Sequence, residues 1–331
     1  MRNRALASVL VSLLVFGAIT PSSANPKGTP NENAVGYWTA EKRANAVARE
    51  FQFEPGAKEG KLVPQGKRGG SGSGTSSPSG TSYWPANQQS DFVANITGKV
   101  FFTMSGVDYV CSASLVADGD GSRAIAITAG HCVWENAING SFATNWVFWP
   151  NYDTNNSNRG ASYAASQLFV RKDFTNQTSF NNTAVINDYA FAVINSSNDR
   201  VNPANLPALD LGTFSIGNTA YAFGYPQAFP YNGNELVYSF GSVNTDANTG
   251  NKTWKLPSNL TGGASGGPWY GGYVSGNSVG LVSSVNSYKY TTDKNSMYGP
   301  QFSNLTSLLL DASKSGSCPS SSSTINCKQL S

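Results

Sequence analysis

Histidine is almost missing from this chain: His131 is the only one in 331 residues. A zinc site takes three or four ligands from Cys, His and carboxylates, so one His and four Cys leave little for a zinc enzyme. No metal or cofactor is expected, and any chemistry that needs an imidazole must use His131. Charge is scarce too, at 12% of residues. The net charge of +3 is carried by the first 70 residues: residues 1–24 hold +2, residues 25–70 hold +3 and residues 71–331 hold −2. The main part of the chain therefore offers no cationic face, and nucleic acid is excluded as a partner. After residue 20 there is no apolar run long enough to span a bilayer. What is plentiful is aromatic residues (7 Trp, 15 Tyr, 17 Phe) and 34 Gly, which argues for a packed core with many turns and against whole-chain disorder.

The N-terminus divides into segments by composition. Arg2 and Arg4 precede an apolar run over 5–20, and Ser22-Ser23-Ala24 supplies small residues for cleavage. Residues 1–24 read as a signal peptide, shorter in its apolar part than a membrane span. Export follows, with the mature protein secreted, extracellular and free of the membrane. Residues 39–51 read as a helix capped by Thr39, with Ala44, Val47, Ala48 and Phe51 on one face. From Gly66 to Ser82 the chain is Gly/Ser/Thr-rich around Lys67-Arg68, a composition that cannot pack a core and reads as a protease-accessible linker. Residues 25–82 are therefore expected to be a propeptide with its linker.

Residues 83–312 read as the main domain. Short apolar or alternating strands are predicted over 100–104, 109–116, 124–128, 146–149, 167–170 and 189–194. After a Pro/Asn-rich connection over 195–207, others follow over 220–223, 235–240, 267–270, 279–285 and 297–302. Two groups of about six strands with no helices between them, 92–195 and 208–303, argue for an all-β fold of paired antiparallel barrels. A short helix over 305–312, capped by Asn304, and a Ser-rich tail over 313–331 close the chain. In an exported protein four Cys form two disulfides. Cys111–Cys132 and Cys318–Cys327 are the most economical pairing, the first linking two neighbouring strands and the second closing a C-terminal loop.

His131 stands in Thr128-Ala-Gly-His-Cys132, directly after an apolar strand. Downstream, Gly262-Gly-Ala-Ser-Gly-Gly-Pro268 has the form of an activated-serine loop. Acyl transfer needs a serine oxygen on a sharp turn and free backbone N–H groups where an oxyanion will form, and Gly263 and Ser265 can provide those groups. A third group must orient the imidazole. Of the carboxylates between the two motifs, Asp188 alone immediately precedes a strongly apolar strand. Gly263-Ala-Ser-Gly-Gly267 also fits the elbow of α/β-hydrolases, but that fold places its histidine after its serine, and none follows Ser265.

On Cys111-Ser-Ala-Ser-Leu115, Thr128-Ala-Gly-His-Cys132, Asp188-Tyr-Ala, Gly263-Ala-Ser-Gly-Gly-Pro268 and Gly280-Leu-Val-Ser-Ser-Val285, the chain resembles trypsin/chymotrypsin-type serine endopeptidases over residues 92–312. Gly36-Tyr-Trp-Thr39, Tyr225-Pro226 and Ser287-Tyr-Lys-Tyr290 are similar to secreted bacterial members with propeptides. The resemblance implies two six-stranded β-barrels, with His131 as general base, Asp188 as its partner and Ser265 as nucleophile in the cleft between them. It further implies a substrate-pairing edge at Ser283, Ser284 and Val285 and a pocket base at Asn259 and Leu260. Where animal relatives carry Asp before the nucleophile, this chain has Ala264, so activation through a buried new N-terminus is not expected. No carboxylate lies at the pocket base, and the second histidine that glutamate-preferring relatives carry in the pocket wall is missing, so the expected substrates are polypeptides cut after uncharged residues by a monomer. The competing readings are a non-catalytic binding protein on the same fold and an esterase using the same triad.

Overall fold

The computed structural model describes residues 30–63, 80–88, 90–118, 123–154, 161–194, 203, 205–273 and 279–330. The expected signal peptide and residues 66–79 of the Gly/Ser-rich linker lie outside the described residues.

Two short helices begin the described chain, α1 (Pro30–Tyr37) and α2 (Ala40–Asn45). Thr39 caps α2 as expected, its side chain accepting from the Lys42 N–H. The helix predicted over 39–51 nevertheless ends at Asn45: Ala44 of its expected face stays in α2, while Val47, Ala48 and Phe51 are extended. They lie in β1 (Val47–Ala48) and β2 (Phe51–Phe53), followed by β3 (Glu59–Leu62) and, past the linker, β4 (Ser82–Tyr83). Open sheet edges in the main domain supply unpaired N–H and C=O groups, and pairing with them outweighs the weak stability of a single short amphipathic helix.

After α3 (Phe92–Ile96), the first group of strands comprises β5 (Thr97–Met104), β6 (Val107–Val116), β7 (Ala124–Thr128), β8 (Thr144–Pro150), β9 (Tyr163–Ala164), β10 (Gln167–Arg171), β11 (Phe180–Asn181) and β12 (Ala190–Ile194). Between them lie α4 (Lys172–Thr175) and α5 (Asn182–Ile186). Ser105 and Gly106 both take positive φ, 50° and 79°, the twist that suits a two-residue turn between antiparallel strands. β7, β10 and β12 are buried at every residue, so they carry continuous apolar runs instead of an alternation. The second group comprises β13 (Thr219–Gly224), β14 (Val237–Ser242), β15 (Asn244–Thr245), β16 (Thr253–Pro257), β17 (Pro268–Gly271), β18 (Leu281–Val285), β19 (Tyr288–Tyr290) and β20 (Asp293–Pro300).

The strands form a nine-stranded sheet (β21-β10-β12-β7-β6-β5-β8-β9, with β1 on β6), a five-stranded sheet (β18-β17-β13-β14-β4) and a seven-stranded sheet (β11-β3-β2-β19-β20-β16-β15), where β21 is Ile325–Gln329. The architecture is mostly β with curled sheets, the two-barrel fold. The barrels join through their backbones: Ser112 N–H donates to Ser265 O at 2.7 Å, and Ser112 Oγ bridges Gly263 O and Tyr225 N–H at 2.9 Å each.

At the C-terminus, α6 runs Asn304–Lys314 and is capped by Ser303, one residue earlier than expected, because Ser303 and Thr306 form a reciprocal capping box. The tail is not a loop alone. β21 adds to β10 in antiparallel register from Gln167↔Gln329 to Arg171↔Ile325, and the Cys318–Cys327 disulfide closes the loop before it. Replacing both of these cysteines by Ala should cost roughly 2–3 kcal/mol of stability by chain entropy. Hydrogen exchange should show the loss first at β21. Unchanged exchange there would mean that the strand holds without its staple.

Candidate active site

His131 lies in a tight turn, Gly130–Cys132, immediately after β7. The Cys111–Cys132 disulfide ties that turn to β6. Asp188 lies just before β12, which pairs with β7 from Ala190↔Thr128 onward. The end of one strand therefore sits beside the start of its neighbour, and residues 131 and 188 meet there. Asp188 grips residue 131 at two points: Oδ1 accepts from the backbone N–H, and Oδ2 lies 2.8 Å from Nδ1, also at 2.8 Å for the first contact. Ser287 Oγ donates to the same Oδ2 at 2.5 Å. Both side chains of the pair are 0% exposed. A carboxylate can only accept, so Nδ1 carries the proton and Nε2 of the neutral ring is left as an acceptor.

Ser265 sits on a turn that only glycine can build. Gly263 and Gly266 have φ of +101° and +82°. A Cβ on Gly266 would lie 2.1 Å from Thr128 Oγ1 and 2.4 Å from Ser112 O, so the loop could not reach the first barrel with a side chain there. Gly262 O accepts from the N–H of Gln227 (2.7 Å) and Ala228 (3.2 Å). Because the peptide is trans, the Gly263 N–H points the opposite way from that carbonyl. Asn286 staples the same loop: its amide donates to Phe223 O and Ala264 O, its carbonyl accepts from Gly266 N–H, and Trp269 Nε1 donates to its Oδ1.

The N-terminal segment lies directly over these groups. β1 runs parallel to β6 (Val47↔Tyr109, Ala48↔Val110), and β2 runs parallel to β19 (Phe51↔Tyr288, Tyr290↔Phe53). Between them, Ser265 Oγ donates to Arg49 O at 3.0 Å, and Arg49 Nε donates to His131 O at 2.9 Å. His131 and Ser265 thus converge on one residue of this strap. The Phe51 and Phe180 rings stand edge-on to the imidazole at 5.4 and 5.5 Å. His131 Nε2 is buried with no hydrogen-bond partner among the described residues.

Not every expected residue faces the cleft. Ser283, Ser284 and Val285 are buried within β18, where Ser284 and Val285 pair with Trp269 and Pro268 of β17, and Ser284 Oγ donates to Pro300 O. The second strap strand, β2, pairs on β19, which the chain reaches after Asn286 and Ser287. Asn259 Oδ1 accepts from Tyr231 O–H at 2.6 Å, and Leu260 is buried in the core of the second barrel. The sequence reading missed Arg49, Glu50, Asn286, Ser287 and Lys289. Cys111, His131 and Cys132 hold potential metal-binding atoms within 4.8 Å of one another, but the two sulfurs are bonded to each other and offer no thiolate. Among the described residues, no helix is long and apolar enough to cross a membrane.

A histidine–aspartate pair and a serine loop at the seam of two β-barrels define a chymotrypsin-like protein. The trypsin family model matches residues 88–300. Among solved structures, the chain is similar to the protease Anisep from Arthrobacter nicotinovorans, at 32% identity and a TM-score of 0.58, over 68% of this chain and 97% of that one. It is also similar to the thermostable serine protease AL20 from an extremophilic microorganism, at 35% identity and a TM-score of 0.58, over 68% of this chain and 99% of that one. No curated protein matches the chain. The chain belongs to the trypsin family and is one of its serine endopeptidases.

Ser287→Ala removes one donor from the fully buried Asp188 carboxylate. It should lower unfolding stability by about 1–3 kcal/mol, as read by urea denaturation. A variant as stable as the parent would show that this hydroxyl does not hold Asp188.

Proposed function

We propose that the protein is a secreted serine endopeptidase, made as a precursor, that cleaves peptide bonds through His131, Asp188 and Ser265. The observation that carries this reading is the buried two-point grip of Asp188 on His131, with the Ser265 hydroxyl set against the peptide carbonyl of Arg49, whose own side chain bonds to His131 O. In the reaction Ser265 Oγ bonds to the carbonyl carbon of the substrate while its proton passes to His131 Nε2. Asp188 steadies the imidazolium that forms. The N–H groups of Gly263 and Ser265 receive the oxyanion, which the outward-bonded Gly262 carbonyl favours. The imidazolium then protonates the departing amine, and the acyl-enzyme is released by water activated in the same way.

Residues 1–24 serve export and residues 25–82 are a propeptide whose strap keeps the cleft shut. The contact at Ser265 supports a blocked state over a bound substrate. A productive acyl donor offers its carbonyl carbon to the hydroxyl and its oxygen to the oxyanion N–H groups, whereas Arg49 puts the oxygen itself on Oγ. Arg49 and Glu50 are both buried, so release of the strap exposes the site. Ala264 carries no charge, and activation does not use an ion pair with a new N-terminus. The two disulfides suit an oxidising, extracellular setting, polypeptides are the substrates, and the processed enzyme acts as a monomer. The lack of a carboxylate at Asn259 argues against Lys or Arg at the cleavage site. The expected preference for uncharged residues took no account of Lys289, which the fold brings to this pocket wall.

Ser265→Ala and His131→Ala should each lower casein hydrolysis by several powers of ten, and activity of the parent should fall in acid as His131 takes up a proton. Full-rate cleavage by either variant would remove the mechanism. N-terminal sequencing of the processed protein should give a start between residues 64 and 83, and a start at Asn25 would contradict the propeptide.

A further inference from the structure

One cation is held inside the cleft wall. Lys289 is 4% exposed. It belongs to β19, the strand on which the strap pairs, and follows Tyr288 and Ser287 directly. Its Nζ donates to Ser258 O (3.2 Å), Leu260 O (2.8 Å) and Lys294 O (2.8 Å). Two of these carbonyls flank Asn259, so the ammonium lies against the pocket segment that leads into the serine loop. Carbonyl dipoles solvate the charge but do not neutralise it, and a buried charge is stable only when paired.

The counter-charge in this structure comes from the strap. Glu50 follows the carbonyl that sits on Ser265, and its side chain is 8% exposed. Its carboxylate accepts from Gln52 Nε2 at 3.2 Å, lies against Gly262, and feels the charge of Lys289. An added Cβ on Gly262 would lie 2.8 Å from Glu50 Oε2, so the missing side chain at this position makes room for the carboxylate. Burial pushes Glu50 up and Lys289 down to about 8, and in each case the charge of the other opposes the shift. Asp293 also acts on Lys289, but its carboxylate is engaged by Lys255 at 2.8 Å and Tyr298 at 2.9 Å. When the strap leaves, the pocket keeps a cation and loses the carboxylate that faced it.

We propose that Lys289 makes the substrate pocket selective for an acidic side chain, with Glu50 of the strap as the chain's own occupant of that place. The assignment rests on the catalytic reading above and replaces the expected preference for uncharged residues. A basic side chain meets repulsion from Lys289. A neutral one leaves the cation without a nearby counter-charge, while Glu or Asp restores the negative charge that Glu50 supplies.

The test uses the full chain, secreted and collected in its processed form, with fluorogenic peptides that differ only in the residue before the scissile bond: Glu, Gln, Leu or Lys. The expected result is a kcat/KM for Glu about tenfold or more above that for Gln, since the two side chains match in shape and differ in charge. Lys289→Met should bring the Glu-to-Gln ratio close to one, and Lys289→Arg should preserve most of it. Equal cleavage of the Glu and Gln peptides by the parent enzyme overturns the proposal, as does a ratio that survives in Lys289→Met. Should Lys289→Met fail to fold, the parent ratio and the Lys289→Arg variant decide. A protein that takes a fluorophosphonate label but shows no Glu preference overturns the pocket assignment alone. One that takes no label overturns the catalytic reading as well.

Discussion

The site depends on one buried carboxylate. Asp188 is fully enclosed, and its oxygens are met by the His131 backbone N–H, the His131 ring and the Ser287 hydroxyl. Those donors come from the turn after β7 in the first barrel and from the segment between β18 and β19 in the second. Satisfying one buried anion therefore fixes the angle of the imidazole and the seam between the barrels together. The pairing of β7 with β12 places the aspartate, and the disulfide to β6 holds the turn that carries the histidine.

The serine loop is built on the same logic of close approach. Its glycines bring backbone against backbone where side chains would collide, and Asn286 fastens the loop from behind by bonds to Phe223, Ala264 and Gly266. The strap uses what remains open. It adds a strand to each barrel, one on β6 and one on β19, and at the crossing between them its Arg49 carbonyl accepts from the Ser265 hydroxyl. In the structure Glu50 of the strap and the buried Lys289 act on one another, and each charge is costly to bury without the other.

Much of this was legible in local strings of residues. His131, Asp188 and Ser265 each sit in a short pattern whose chemistry can be read without knowing the fold, and the two disulfides present are the pairing that chain economy favoured. The two groups of short strands also announced the barrels. What was not legible depends on partners distant in sequence. Val47, Ala48 and Phe51 have helical spacing, and they are extended only because β6 and β19 offer them edges. Likewise, β21 is a strand by virtue of β10. The strap pairs on β19, past the edge expected at Ser283–Val285, and a string of residues does not reveal where a strand leaves one neighbour and turns to another. Lys289 sits in the quoted string Ser287-Tyr-Lys-Tyr290 with nothing local to mark its burial, and only the fold carries its ammonium to the carbonyls beside Asn259.

The single histidine makes the central claim directly measurable. The protonation of His131 in the processed protein can be followed by NMR with no other imidazole in the spectrum. The rate at which a fluorophosphonate acylates Ser265 can be measured over the same pH range. If the imidazole takes the serine proton, the rate should rise in step with the neutral fraction of His131, and the two curves should superimpose. A rate that stays constant while His131 titrates would contradict the account.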